Sequence, residues 1–394
     1  MSATSAPTYE RDGFTWAAYG ALLGFGYLNA ALGPILPYLR AVEELSYLGA
    51  ALHQLALAAG GGLAGVIATH GRNPLGRAAT IRLGLAGAAV AGIVVAYAGQ
   101  ATVTVPAALA MGFLNTSALI ALWAALSDAH RERRAVAMTE GEVAVSLGGV
   151  LVPLLIAGLA ATAATWRSAL LVGAVLIAAA VARTTAVTVP ERDAGTGAAA
   201  AEPGGEARSR AGPTLLIVFA IVALEFALSF WLASYLNASV GLERGLAVAL
   251  VGALYAANLA GRLLASRLAR RIDAERLLAL ALATTLVGLP ILLAATGALA
   301  ATLGFVLAGA GIGAMFPLTT SLHVGASRRG ADSALGQVLL VAAVGEILGP
   351  LAVAAIAQGA GLRVGLLILP ALVLLAAAAL AVYSRAPAWV ASRP

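Results

Sequence analysis

The sequence predicts an all-α membrane protein with twelve transmembrane helices arranged as two six-helix halves. Three observations predict it. Of the 394 residues, 61% are hydrophobic and 11% charged, against about 25% charged in ordinary soluble domains, so a soluble fold could not hide the apolar surface. The apolar residues gather into twelve runs, each close to the roughly 20 residues a helix needs to cross a bilayer. One long stretch, residues 190–213 (PERDAGTGAAAAEPGGEARSRAGP), is rich in Gly, Pro, Ala and charges of both signs. Such a composition buries too little apolar surface to repay the entropy of ordering, and it reads as a solvated hinge between the halves.

In chain order, a polar tail (1–13) leads into an N-terminal half (14–189) with segments at 14–38, 46–70, 79–99, 103–127, 135–160 and 167–189. The hinge (190–213) follows. The C-terminal half (214–385) repeats the count, with segments at 214–237, 247–268, 277–296, 299–324, 331–357 and 362–383, and a short tail (386–394) closes the chain. Charge supports this division. All 24 basic residues are Arg, and they sit at the ends of apolar segments. Cytoplasmic loops retain cations. With both termini cytoplasmic, only Arg40, Arg167, Arg244 and Arg363 fall on the far side, and one missed or invented helix would scramble that asymmetry. The expected location is the inner membrane of a bacterium, multi-pass, with no removable signal peptide.

Several chemistries are excluded. Cysteine is absent and the four histidines, His53, His70, His130 and His323, are scattered, so no metal site or cofactor is expected. The net charge of +6 forms no basic face of the kind nucleic acid requires. There is also no Gly-rich loop ending in Lys and Ser or Thr to bind ATP, which leaves an ion gradient as the energy source.

The two halves echo one another, as in transporters built from repeats. The fifth segment reads GEVAVSLGGVLVPLL and the eleventh VAAVGEILGPLAV, so Pro153 and Pro350 superpose. The turn after the second segment, GVIATHGRNPLGR, has a counterpart after the eighth in GRLLASRLARR. Here the chain resembles the major facilitator superfamily, whose pattern at that turn is a Gly, small apolar residues, Asp-Arg and then Gly-Arg-Arg. Gly65, Gly76 and Arg77 fit it in the first copy, and Arg262 and Arg267 belong to the second. Thr69 and His70 stand where the Asp-Arg would be, and Ser266 precedes Arg267, so the acid that usually ties this loop to neighbouring helices is missing from both copies. The resemblance covers residues 14–385 and includes the late stretch GAGIGAMFPLTTSL, which is similar to the tenth helix of many bacterial members. It implies a secondary transporter that works by alternating access, acting as a monomer in the lipid bilayer on a small-molecule substrate.

Ionisable residues far from either membrane face point to chemistry, because each costs roughly 2.5–3.5 kcal/mol on insertion scales unless paired or wetted. Glu225 and Glu346 lie deepest. Glu225 shares a helical stripe with Ser229, and Glu346 one with Ala342, Ala343, Gly349 and Pro350, small residues of the kind that mark close helix packing. Both are candidate proton sites, the alternative being a permanently protonated glutamate bonded between helices. Glu142 is a third candidate, because its stripe runs through Ser146, Gly149 and Pro153, whereas that of Glu140 runs through Ala144, Leu147 and Leu151. A local role at the helix N-terminus competes for both. His53 is the fourth, with a structural histidine as the alternative.

In the superfamily the first, fourth, seventh and tenth helices line the central cavity. That resemblance makes Asn29, Asn115, Thr116, Trp123, Glu225, Trp231, Phe316 and Thr320 candidate substrate contacts. An interfacial anchor (Trp231) or bonds between helices (Asn, Thr) are the alternatives. Gly33-Pro34 and Gly349-Pro350 are expected bending points.

The reading that accounts for these features together is a secondary transporter, not an enzyme, moving a small organic solute with protons as the coupling ion; sodium has no recognisable site. The sparsely polar lining helices lean it toward efflux by antiport of an amphipathic or cationic compound. Proton-coupled uptake of a sugar or organic acid is the alternative. A polytopic membrane enzyme, the non-transport alternative, would need a clustered site at a membrane face and a sizeable ordered loop, and the sequence offers neither.

Overall fold

The computed structural model describes residues 10–69, 75–130, 133–191, 208–269, 271–326 and 331–385. His70 of the inner turn, the two tails up to residue 9 and from residue 386, and the middle of the expected hinge lie outside the described residues. Among the described residues all the elements are helices. They are α1 (Gly13–Asn29), α2 (Leu32–Glu43), α3 (Tyr47–Thr69), α4 (Gly76–Tyr97), α5 (Ala101–His130), α6 (Arg134–Ala160) and α7 (Ser168–Thr185), then α8 (Arg208–Ala238), α9 (Arg244–Leu268), α10 (Ala274–Ala294), α11 (Ala298–Ala326), α12 (Ala331–Ala360), α13 (Leu362–Gly365) and α14 (Ile368–Arg385). Among the described residues they form twelve spans long and apolar enough to cross a membrane, with α1 and α2 sharing the first and α13 and α14 the last.

Three boundaries differ from the sequence expectation. The hinge was expected to run to Pro213, but α8 begins at Arg208 with Pro213 inside it. A proline so near a helix start removes one hydrogen bond, to the Ser209 carbonyl, close to the end of the helix. The break expected at Gly33-Pro34 falls at Ala30 and Ala31, between α1 and α2. Pro34 cannot donate to the Ala30 carbonyl, and the interruption sits where that bond is missing. At Gly349-Pro350 the helix is not interrupted: α12 runs from Ala331 to Ala360 with Pro350 inside it. There the fully buried Trp231 of α8 donates its indole N–H to the Pro350 carbonyl at 3.0 Å, which braces the helix at its proline.

The chain divides into two compact units that do not coincide with the sequence halves. Unit 1 is Met1–Ala31 with Ala59–Gly197, and unit 2 is Leu32–Ala58 with Ala198–Pro394. In unit 1, α1 packs on α6 and α7, and α4 on α5 and α7. The α1–α6 crossing is backbone against backbone: a Cβ on Gly26 would lie 2.8 Å from the Val145 carbonyl carbon, and one on Gly148 2.6 Å from the Tyr27 amide. Small residues at such crossings let helices approach closely where lipid supplies no hydrophobic drive. Unit 2 repeats the plan, with α8 on α12 and α14, and α10 on α11 and α14; a Cβ on Gly345 would lie 2.8 Å from the Phe219 carbonyl oxygen.

Polar clasps also recur in each unit. Asp12 caps α1 by accepting from the Thr15 amide at 2.8 Å, and the Thr15 hydroxyl meets His130 Nε2 at 2.8 Å at the end of α5. In unit 2 the Thr214 hydroxyl meets His323 Nδ1 at 2.7 Å, tying the start of α8 to the end of α11. A Thr–His bond thus joins the first and fourth spans of each six.

Candidate functional site

The polar groups of unit 2 converge on α8, α9 and α12. Glu225 sits mid-way along α8, and its Oε1 accepts from Asn258 Nδ2 of α9 at 3.3 Å. One turn on, the Ser229 hydroxyl donates to the Glu225 backbone carbonyl at 2.7 Å and lies beside the Tyr255 phenol of α9. The stripe of Glu225 and Ser229 is thus one face of α8 turned to α9. Room for Asn258 comes from α11. A Cβ on Gly309 would stand 2.9 Å from Asn258 Oδ1, and one on Gly313 2.6 Å from the Asn258 carbonyl carbon. The glycine-rich stretch therefore lets a side-chain amide sit between helices. Among the described residues, Asn258 Oδ1 is buried without a hydrogen-bond partner, as are the Thr319 and Thr320 hydroxyls of α11.

Glu346 of α12 accepts from the Gln54 amide of α3 at 3.4 Å. Glu225 lies near enough to act on it electrostatically, so ionising both carboxyls at once costs Coulomb energy. The neighbouring His53 is buried, with Nδ1 facing the Gly49 carbonyl at 3.3 Å and Nε2 3.9 Å from Glu43 Oε2. Trp231, besides its bond to Pro350, packs edge-on against Tyr47 at 5.7 Å, and Arg40 covers the outer face of the Tyr47 ring at 4.0 Å. Phe316 is half-buried on α11. Arg262 Nε of α9 donates to the Gly313 carbonyl at 3.3 Å, the group that Pro317 leaves without its helical donor. Arg267 is exposed.

In unit 1 the candidates are more dispersed. Asn115 Nδ2 of α5 donates to the Phe25 carbonyl of α1 at 3.2 Å, and its Oδ1 is buried without a partner. The Thr116 hydroxyl faces Gly61 of α3, and the Trp123 ring lies over Gly141 of α6. Asn29 is exposed at the end of α1, and Glu142 is half-buried on α6. Glu140 pairs with Arg11 and accepts from the Tyr19 hydroxyl.

The inner turn obtains its acid from elsewhere in the chain. Arg77 pairs with Asp128 of α5 at 2.7 Å and donates to the Pro190 carbonyl at 3.1 Å. Glu191, just past α7, accepts from the backbone N–H groups of Arg77 and Ala78 at 2.9 and 3.1 Å. These are the orphan donors at the start of α4, and the Arg77 N–H does most to hold the Glu191 carboxyl below the usual glutamate range. Gly76, at φ +75°, makes the approach, a conformation that glycine adopts without strain. Gly65 has open space where a Cβ would stand.

The Major Facilitator Superfamily family model matches residues 14–339. The chain belongs to that superfamily. Solved structures agree in fold. A bacterial homologue of the human lysosomal transporter Spinster is 15% identical with a TM-score of 0.71, covering 96% of this chain and 98% of its own. The nucleoside transporter NupG is 13% identical at 0.75, covering 94% and 100%. A D-xylose–proton symporter is 16% identical at 0.72, covering 95% and 98%. Comparison with curated protein sequences returned no match. The superfamily member described here is accordingly a multi-pass membrane transporter of the alternating-access kind, with a small molecule as substrate. The polar neighbours of Glu225 and Glu346 that sequence reasoning missed are Gln54, Tyr255 and Asn258. Each is a polar side chain well inside an apolar segment, and that depth was the available signal.

Proposed function

We propose that this member couples transport to protons through Glu225 and Glu346, and that it exports an amphipathic or cationic solute in exchange for them. One observation carries the reading: two mid-helix carboxyls lie within electrostatic reach of one another, each bonded to a neutral amide, Asn258 or Gln54. A neutral amide brings no fixed positive charge that would hold its carboxyl permanently ionised, so the proton can come and go. The buried oxygens of Asn258, Thr319 and Thr320 that have no partner add acceptors beside the acids, which suits a substrate bringing donors or positive charge. The Arg asymmetry supports a bacterial inner membrane location with both termini cytoplasmic, and residues 14–189 and 214–385 serve as the two sequence repeats. The chain acts as a monomer.

Proton flux in liposomes tests this. Internal pH is recorded while cationic amphiphiles, sugars and organic acids are added singly to vesicles containing the purified protein. A pH change with the cationic class, in the sense of exchange, is the expected result. Co-movement of protons with a sugar or organic acid would replace the export reading with uptake, and substrate flux that leaves internal pH unchanged would remove the proton.

A further inference from the structure

Residues Leu32–Ala58 belong to the first half of the sequence yet form one compact unit with the second. Both ends of this hairpin carry joints. At one, α1 stops at Asn29 and α2 restarts at Leu32. At the other, the border between Ala58 and Ala59 adjoins Gly60, Gly61 and Gly62, three successive residues without a Cβ to stiffen the helix.

Between the joints α2 packs on α8 and α9 with Leu32, Ile35, Leu36 and Leu39 buried, Arg244 of α9 stands 5.3 Å over the Tyr38 ring, and further contacts tie the hairpin to the rest of its unit. Gly33 lies against the backbone of Ser229 and Phe230. Tyr47 meets Trp231 edge-on, and the Leu48 N–H reaches Gln358 Oε1 at 3.5 Å. Gln54, 5% exposed, donates to Glu346 at 3.4 Å, and among these four contacts only this one ends on an ionisable group. Its neighbour His53 faces Glu43, with their side chains 0% and 1% exposed. Two successive residues of α3 therefore do different jobs: His53 binds the hairpin to itself and Gln54 binds it to α12.

We infer that Gln54 is a positioning residue that reads the charge on Glu346, so that a proton gained there frees the hairpin from α12. The inference rests on the proposed role of Glu346 as a proton site. An amide N–H bonded to a carboxylate is roughly twice as strong as the same bond to a neutral group. A protonated carboxyl also presents an O–H that the amide nitrogen cannot accept. Protonation therefore weakens the latch while leaving the apolar contacts in place. Among the described residues, the other titratable and charged groups on the surrounding elements are Glu225 and Tyr235 on α8, Arg244, Tyr255, Arg262 and Arg267 on α9, and Tyr38, Arg40, Glu43, Glu44, Tyr47 and His53 within the hairpin. On α11 there is His323, toward its far end, and on α13 there is Arg363, which is turned to the Ser239 and Ala295 carbonyls.

The chain has no cysteine, so a single reporter can be placed at will. Ala50, 0% exposed in the hairpin, is changed to cysteine (Ala50→Cys), and its reaction rate with a maleimide is followed from alkaline to acid pH, corrected for the reagent's own pH dependence. In this parent the corrected rate should rise about tenfold on acidification, the ratio expected for exchanging a charged for a neutral hydrogen bond. Adding Gln54→Met, of similar length but without the amide, or Gln54→Asn, one methylene too short, should give fast labelling at every pH. Glu346→Gln should do the same. Slow alkaline labelling with full acid acceleration in both folded Gln54 variants overturns the inference, and so does a parent whose corrected rate ignores pH. Liposome flux separates the two levels. If Glu346→Gln loses proton coupling while the Gln54 variants keep the pH response, the latch fails and the proton site stands. If Glu346→Gln couples normally, both fall.

Discussion

Replacing Gly60 and Gly62 by alanine, one at a time, should affect stability unequally although the residues are two positions apart in α3. A Cβ on Gly60 would lie 2.7 Å from the Phe113 amide nitrogen and nearer still to the Leu109 carbonyl oxygen, both backbone atoms of α5, whereas one on Gly62 meets nothing within 4 Å. Ordinary contact begins near 3.4 Å, so α3 and α5 must part by at least about 0.7 Å, the shortfall between 2.7 and 3.4 Å. Backbone cannot swing aside as a flexible side chain can. Overpacking of this kind costs about 1–3 kcal/mol, and each alanine recovers about 1 kcal/mol of helix propensity. Gly62→Ala should therefore gain about 1 kcal/mol while Gly60→Ala lies about 1–3 kcal/mol below it. Thermal unfolding of the two purified variants in one detergent measures the difference, which amounts to several degrees at about 2–4 °C per kcal/mol. Gly65→Ala, also in open space, should follow Gly62→Ala. Equal shifts for Gly60→Ala and Gly62→Ala would refute the assignment of this crossing to backbone contact.

Three further outcomes are expected. Glu225→Gln and Glu346→Gln should each yield folded protein that has lost proton-linked flux in liposomes, and normal coupling in both would remove these acids from the mechanism. Arg262→Met should cost about 1–3 kcal/mol by leaving the Gly313 carbonyl without a donor, a loss that Ser266→Ala, as a control four residues along α9, should not reproduce in unfolding scans. Glu191→Gln should cost about 0.5–1 kcal/mol at neutral pH as a weakened cap. Because the folded-state value of Glu191 is depressed, its stabilisation is present above the ordinary value of about 4.3 and lost as pH falls through the lower one. The gap in unfolding temperature between this variant and the unaltered chain should close in acid, and a gap that stayed constant would count against the carboxylate.

Hydropathy and Arg placement made the twelve spans legible, because a bilayer constrains every residue of a crossing at once. Individual breaks were less so. Gly33-Pro34 and Gly349-Pro350 look alike in sequence, yet the first accompanies a break and the second a continuous helix, to whose Pro350 carbonyl an indole reaches from 119 residues away. Glu225 and Glu346 stood out because charge is costly in lipid. Their partners Asn258 and Gln54 did not, since an amide is tolerated between helices and shows its role only when the facing helix is known. The acid missing from the inner turn was likewise invisible, as Asp128 and Glu191 reach Arg77 from elements distant in the chain.

The borrowing of Leu32–Ala58 by unit 2 bears on how this protein can be cut and recombined. A fragment ending in the central linker would carry that hairpin away from the helices it covers. The remaining piece would then show bare indole at Trp231, bare backbone at Ser229 and Phe230, and an unbonded carboxyl at Glu346. Chimeras exchanged at the linker inherit the same mismatch, and each graft needs the donor's residues 32–58 to accompany its last six spans.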